Sequence, residues 1–128
     1  MIVLDHNIAE NEAKQLRRWQ VHFRQIGLEV GRPEWEDQQE ILRYLHRTRQ
    51  VTFFTRDLGF FRPRLCHNNY CLAVITVPVL ETALYVRRLL RHRAFNTKAK
   101  RQGKVIRISS AKIVWWQLGE ERQLSLDG

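Results

Sequence analysis

Ile2-Val3-Leu4-Asp5-His6-Asn7-Ile8 opens the chain with three apolar residues, then a carboxylate and two further polar groups. A continuous apolar run this short, ending abruptly in charge, reads as a strand buried on both faces. Such strands belong to parallel sheets with helices on either side, so helices and strands should alternate downstream. From Ile8 to about Ile26, the residues Leu16, Trp19, Phe23 and Ile26 recur at helical intervals, and Gly27 supplies a stop. Leu28 and Val30 suggest a second short strand before Gly31 and Pro33 turn the chain. Glu34, Glu36 and Asp37 then suit the first turn of a helix carrying Ile41, Leu42 and Leu45.

Val51 to Thr55 is β-branched and aromatic, a third strand, and Cys71 to Val77 is a fourth. Pro78 opens a helix expected to reach Phe95, with Val79, Ala83, Val86, Leu90 and Ala94 on one face and Arg87, Arg88 and Arg91 elsewhere. A polar link, 96–103, leads to two terminal strands within 104–117, expected to pair as a β-hairpin. The neighbours Trp115 and Trp116 must then point to opposite faces, one of them exposed. The reading is one domain over 1–128, with its α/β core in 1–95. Its class is α/β, with a mainly parallel central sheet joined by right-handed crossovers.

The chain has 128 residues, enough for one core and too few for two. Its 22 Lys and Arg exceed its 13 Asp and Glu, for a net charge of +9, with most of the excess beyond residue 86. That asymmetry points to a polyanionic partner, although a solvated helix face would look the same residue by residue. Cys66 and Cys71 are too few for a structural zinc site and are expected as free thiols in a reducing compartment. The start lacks the pattern of a signal peptide, and Leu72 to Leu80 is far short of the ~20 residues of a membrane span, so a soluble, cytoplasmic protein is expected.

Ligands of parallel sheets gather beyond the carboxyl ends of the strands, and the polar residues following strands one and three are Asp5 and Asp57. Asp37, in the first turn of the intervening helix, could join them. Carboxylates converging at one rim repel unless a divalent cation neutralises them. Oxygen ligands favour Mg2+ or Mn2+, which can polarise a phosphoryl oxygen and activate water for in-line attack. Each acid also has a plainer role: Asp5 could cap the first helix, Asp37 could serve the helix dipole, and Asp57 could cap a turn through Leu58 to Arg62. Asn7 and Thr55 could orient a carboxylate or be turn residues, and His6 is a weaker candidate base or ligand. His67, with Asn68 and Asn69, could reach the rim. Trp35, Phe60, Phe61 and Tyr70 could stack on bases or simply fill the core.

Asp5-His6-Asn7-Ile8 after a short strand, Asp37 to Leu42 leading a helix, and Thr55-Arg56-Asp57 followed by Phe60 together resemble the PIN-like domains of small prokaryotic proteins related to the VapC-type toxin ribonucleases. The resemblance covers about the first 80 residues. It implies a three-layer α/β/α sandwich, a Mg2+ or Mn2+ site built from Asp5, Asp57 and a helix acid (Asp37, Glu40 or Glu36), and cleavage of RNA. It also implies a possible cognate antitoxin as partner; a homodimer stays open, and no membrane association is expected. Arg87, Arg88 and Arg91 would hold the RNA backbone through counterion release. Gly59 departs from the pattern, standing where such domains often carry a second acid. That keeps open a different class, a non-catalytic PIN-like domain that binds nucleic acid or a protein partner. A nucleotide-binding α/β domain ranks last, because no glycine-rich phosphate loop follows the first strand.

Overall fold

The computed structural model describes residues 1–32, 34–35 and 38–127. Its strands are β1 (Ile2–Leu4), β2 (Arg24–Gln25), β3 (Val51–Thr55), β4 (Tyr70–Ile75), β5 (Lys104–Ile108), β6 (Lys112–Gln117) and β7 (Leu124–Asp127). Its helices are α1 (Glu10–Arg18), α2 (Gln38–Thr48), α3 (Thr82–Arg91) and α4 (Lys98–Arg101). One mixed α/β sheet runs in the order β2-β1-β3-β4-β5-β6-β7. The first five strands are mutually parallel, whereas β6 pairs antiparallel with β5 and β7 antiparallel with β6. From β1 the chain moves first to β2 on one side and then to β3 on the other. The order therefore reverses between β1 and β3, and a parallel sheet opens a crevice at such a reversal, beyond the carboxyl ends of its strands.

Strand alternation fills two cores. Leu4, Phe54, Ala73, Ile75 and Ile106 share one cluster with Leu16 of α1 and Ala83, Val86 and Leu89 of α3. Val3, Phe53, Leu72, Val74 and Val105 share the other with Ile41, Leu42 and Leu45 of α2. Every residue of β3 and β4 is buried, which is why these strands read as unbroken apolar or β-branched runs. Each fully buried Phe or Leu in them contributes about 1.5–3 kcal/mol relative to exposure. Among the described residues no helix is long and apolar enough to cross a membrane.

Several boundaries differ from the sequence reading. The first helix stops at Arg18, because Gln20 takes a left-handed φ of 62° and Val21 N–H closes onto Leu16 C=O. Phe23 and Ile26 kept helical spacing, yet they pack into different clusters, which one helix face could not achieve. The extended segment is Arg24–Gln25; Leu28 is 74% exposed and Val30 makes only an isolated bridge to Ile26. The helix after Pro78 begins as a 3-10 turn, Val79–Glu81, and ends at Arg91, leaving Phe95 to be buried from a later loop. The polar link contains α4, and β5 and β6 do form the expected hairpin, but β5 also joins β4 and an unforeseen β7 extends the sheet. Trp115 and Trp116 pack against opposite clusters and both are half-buried, so neither is the exposed tryptophan that was expected.

Candidate functional site

The parallel register pairs Leu4 with Phe54, so the residues just beyond the crevice are Asp5 and Thr55. Asp5 N–H donates to Phe54 C=O at 2.9 Å, extending the ladder by one rung and fixing the carboxylate at the strand end. Both side chains are buried, Asp5 at 2% and Thr55 at 0% exposure. A carboxylate there is costly unless its oxygens are hydrogen-bonded. Thr55 Oγ1 donates to Asp5 Oδ2 at 2.7 Å, while His6 N–H donates to Asp5 Oδ1 at 2.8 Å. His6 Nδ1 also lies 2.8 Å from Oδ1.

Thr55 is the hub. A hydroxyl has one proton and two lone pairs, and here all three are used. Its proton goes to Asp5, and it accepts from Asn7 Nδ2 at 3.2 Å and from Asp57 N–H at 3.0 Å. Asn7 Oδ1 in turn accepts from Arg56 N–H at 3.1 Å, closing the loop after β1 onto the loop after β3. The two aspartates thus stand on loops joined through one threonine, Asp5 buried and Asp57 exposed. The Arg56 side chain steadies this assembly from outside, donating to Val77 C=O at 2.6 Å and Thr82 Oγ1 at 3.1 Å.

The two capping alternatives separate cleanly. Asp5 caps no helix: the residue before α1 is Ala9, which makes no side-chain cap. Asp57 does cap, its Oδ1 accepting from Gly59 N–H at 2.9 Å at the head of the 3-10 turn Leu58–Phe60. Asp57 is otherwise exposed, and no described group donates to its second oxygen.

Asp37 and Glu36 lie outside the described residues. Glu40 is half-buried in the first turn of α2. The start of that helix sits beside the Asp57 turn, because a Cβ on Gly59 would collide with Gln38 Nε2 and come within 3.0 Å of Asp57 Oδ1. The position where an additional acid was sought is therefore filled by the Gln38 amide. Among the described residues there is no group of three or more His, Cys, Asp or Glu side chains able to hold a metal ion.

The basic helix is not brought to the acids. Arg87 and Arg91 occur about 8 and 14 Å along the α3 axis from its rim end, at the ordinary helical rise. The Arg87 guanidinium lies over Trp19 at 4.5 Å and that of Arg88 over Tyr85 at 4.9 Å; Arg88 and Arg91 are exposed. His67 is also remote: at the amino end of β4 it stacks on His46, with centroids 4.3 Å apart, and on Tyr70 at 5.3 Å. Burial, then the nearby His46, lowers the His67 pKa, while burial pushes Tyr70 up to about 12. Phe60 is core, packed edge-on against Phe53, and Phe61 lies under the Arg107 guanidinium. Trp35 packs near Tyr44, with ring centroids 6.1 Å apart.

Sequence reasoning missed Gln25, Gln38, Arg56 and Glu12. Glu12, 7% exposed, accepts from Ala83 N–H at 3.0 Å and so places its carboxylate at the start of α3, the favourable end of that helix dipole. A Glu inside an apolar helix face was the available signal. Compared with known proteins, the chain matches no family model, no curated protein and no solved structure.

Proposed function

We propose that the protein is a divalent-metal-dependent ribonuclease of the PIN-like kind, built as a three-layer α/β/α sandwich with its site at the crevice between β1 and β3. The observation that carries this is the Thr55 hydroxyl, which joins a buried Asp5 to the loop of an exposed Asp57 at the strand-order reversal. The network lies where ligands of parallel sheets gather, beyond the carboxyl ends of the strands.

Asp5 and Asp57 suit Mg2+ or Mn2+, ions commonly held by one or two carboxylates, several waters and substrate phosphate. Asp37, which lies outside the described residues, would complete the set; Glu40 forms no metal-holding group with Asp5 and Asp57. The ion, when bound, supplies Lewis-acid polarisation of the phosphoryl group and a more acidic water. The chain's own contribution is orientation. Thr55 keeps Asp5 aimed, its hydroxyl donating to Oδ2. Asn7 and Arg56 fix the distance between the two loops, and Asp57 is exposed, where a phosphodiester can approach.

The alternative, a non-catalytic binding domain of the same fold, is favoured by the capping role of Asp57 and by Gln38 filling the space over Gly59. Titration calorimetry with Mn2+ on the wild type and on Asp5→Asn/Asp57→Asn, with cleavage of a mixed RNA pool in parallel, separates the two. The expected outcome is metal binding and cleavage by the wild type, with cleavage lost by about a hundredfold or more in a variant that retains its circular dichroism. A folded wild type that neither binds Mn2+ nor cleaves would establish the binding-domain reading instead.

A further inference from the structure

A groove of about 590 Å3 opens beside Asp5, between the loop that carries His6 and Asn7, the first turns of α1, and the segment Gln25–Leu28. Its volume lies within the about 300–1,000 Å3 typical of small-ligand sites. Its lining is mainly apolar, from Ile8, Ala9, Ala13 and Ile26, and Leu28 stands at its edge 74% exposed. That exposure has no role in the core.

Charge in the groove is already balanced. Arg17 is bound to Glu29 at 3.1 Å, and Glu10 is paired with Lys14 at 3.3 Å. A phosphate would gain little from Arg17 and would meet Glu10. A flat, uncharged, partly polar group fits better, and the polar group that would recognise it is Gln25.

Gln25 is 6% exposed, and its amide orientation is fixed by what it touches. Nε2 donates to two backbone carbonyls, Asp5 C=O at 3.2 Å and Ile8 C=O at 3.3 Å. Both amide protons are thereby committed, and a flipped amide would set Oε1 against two carbonyl oxygens. What remains is Oε1, to which no described group donates. The groove thus holds one fixed acceptor and no matching side-chain donor from Gln25.

We infer that this groove takes the base of a nucleotide adjoining the cleaved phosphate, and that Gln25 Oε1 favours the amino-bearing bases adenine, cytosine and guanine over uracil. The inference rests on the ribonuclease reading for its account of which phosphate is adjacent. An exocyclic amine gives Oε1 one of its hydrogens and keeps the other for solvent. Uracil offers a single N3–H flanked by two carbonyl oxygens, which would face Oε1 with nothing from Gln25 to donate to them. Discrimination by one neutral hydrogen bond is on the order of five- to tenfold.

The test is a metal-free 1H–15N NMR titration of the whole protein with 5′-AMP, 5′-CMP, 5′-GMP and 5′-UMP, repeated with Ala9→Trp, which fills the groove without touching the Gln25 bonds. The expected result is movement of the Gly27, Leu28 and Gln25 side-chain signals, with UMP weaker by about fivefold or more and all four ligands weakened in the variant. Equal affinity for UMP, unmoved groove signals, or an Ala9→Trp protein that binds as the wild type does would overturn the inference. Mapping Mn2+-supported cuts in an RNA pool keeps the two ideas apart. Cleavage without groove shifts defeats the base site and spares the nuclease; groove shifts without cleavage defeat the nuclease and leave a base-binding groove.

Discussion

Thr52 and Thr55 stand on the same strand, both buried, at 1% and 0% exposure, and their hydroxyls serve opposite ends of the sheet. At the amino end, Thr52 Oγ1 accepts from Arg101 Nε at 2.8 Å, and the same guanidinium donates to Phe95 C=O at 2.8 Å. That contact ties α4 to the strand and closes the sheet from below. At the carboxyl end, Thr55 connects Asp5, Asn7 and Asp57 around an open crevice. Both ends bury polar groups. Among the described residues, the carboxyl end has an exposed carboxylate, Asp57, and a groove lined by Gln25, whose amide oxygen accepts from no described group. A buried polar network is therefore no sign of function by itself; unsaturated acceptors around a crevice are the distinguishing feature.

Replacing Thr55 with Val should break the comparison most strongly. The shape is kept, but Asp5 Oδ2 loses its donor in a buried setting, a destabilisation of about 2–3 kcal/mol, measurable by urea unfolding. Cleavage should fall with it, whereas Thr55→Ser, which restores the hydroxyl, should recover most of both. Retained cleavage in a folded Thr55→Val protein would show that the hub is structural only.

Thr52→Val should cost less, about 1.5 kcal/mol, since Arg101 loses one bond and keeps the one to Phe95. RNA cleavage and Mn2+ affinity should be unchanged in this variant. A matching loss of activity would mean that the two ends are coupled through β3 and would undo the contrast.

The amino end should also carry a pH dependence. His67 has its folded pKa lowered from 6.5, first by burial and then by His46. The unfolded chain therefore takes up its proton at higher pH than the native state. The contribution to stability is complete above 6.5 and is lost as pH falls from there through the folded value. Tyr70, raised to about 12, stays neutral throughout that range. Urea midpoints between about pH 8 and about pH 5 should decline on the acid side, and His67→Asn should flatten that decline.

What could be seen in advance follows from how locally each feature is encoded. β1, β3 and the strand end at Asp5 were legible because buried parallel strands are apolar runs with sharp polar limits. β3 was placed to the residue. The segment from Trp19 to Val30 was misread because Phe23 and Ile26 imitate helical spacing while serving two different cores, a tertiary fact. β7 alternates weakly and is mostly exposed, so pairing with β6 defines it more than its own pattern does. At the site, Asp5, Asn7, Thr55 and Asp57 were recognisable from their place after strands. Gln25 and Arg56 were not, because their partners lie 17 to 26 positions away in sequence and a lone Gln or Arg carries no local signature.

The smallest expected effect concerns Gly59, whose absence of a side chain was the strongest sequence argument against catalysis. No left-handed backbone conformation demands glycine there; the obstacle to a Cβ is the Gln38 amide, with the Asp57 carboxylate beside it. The end of a Gln side chain can swing aside, so Gly59→Ala should change stability by less than about 1 kcal/mol in thermal unfolding. If Gln38 is only a space-filler, Gly59→Ala combined with Gln38→Ala should be no worse than Gln38→Ala alone. If the Gln38 amide instead helps orient Asp57, both single variants should weaken Mn2+ binding while leaving the unfolding midpoint nearly fixed. The carboxyl end would then include a residue from α2, the helix whose first turn carries Glu40.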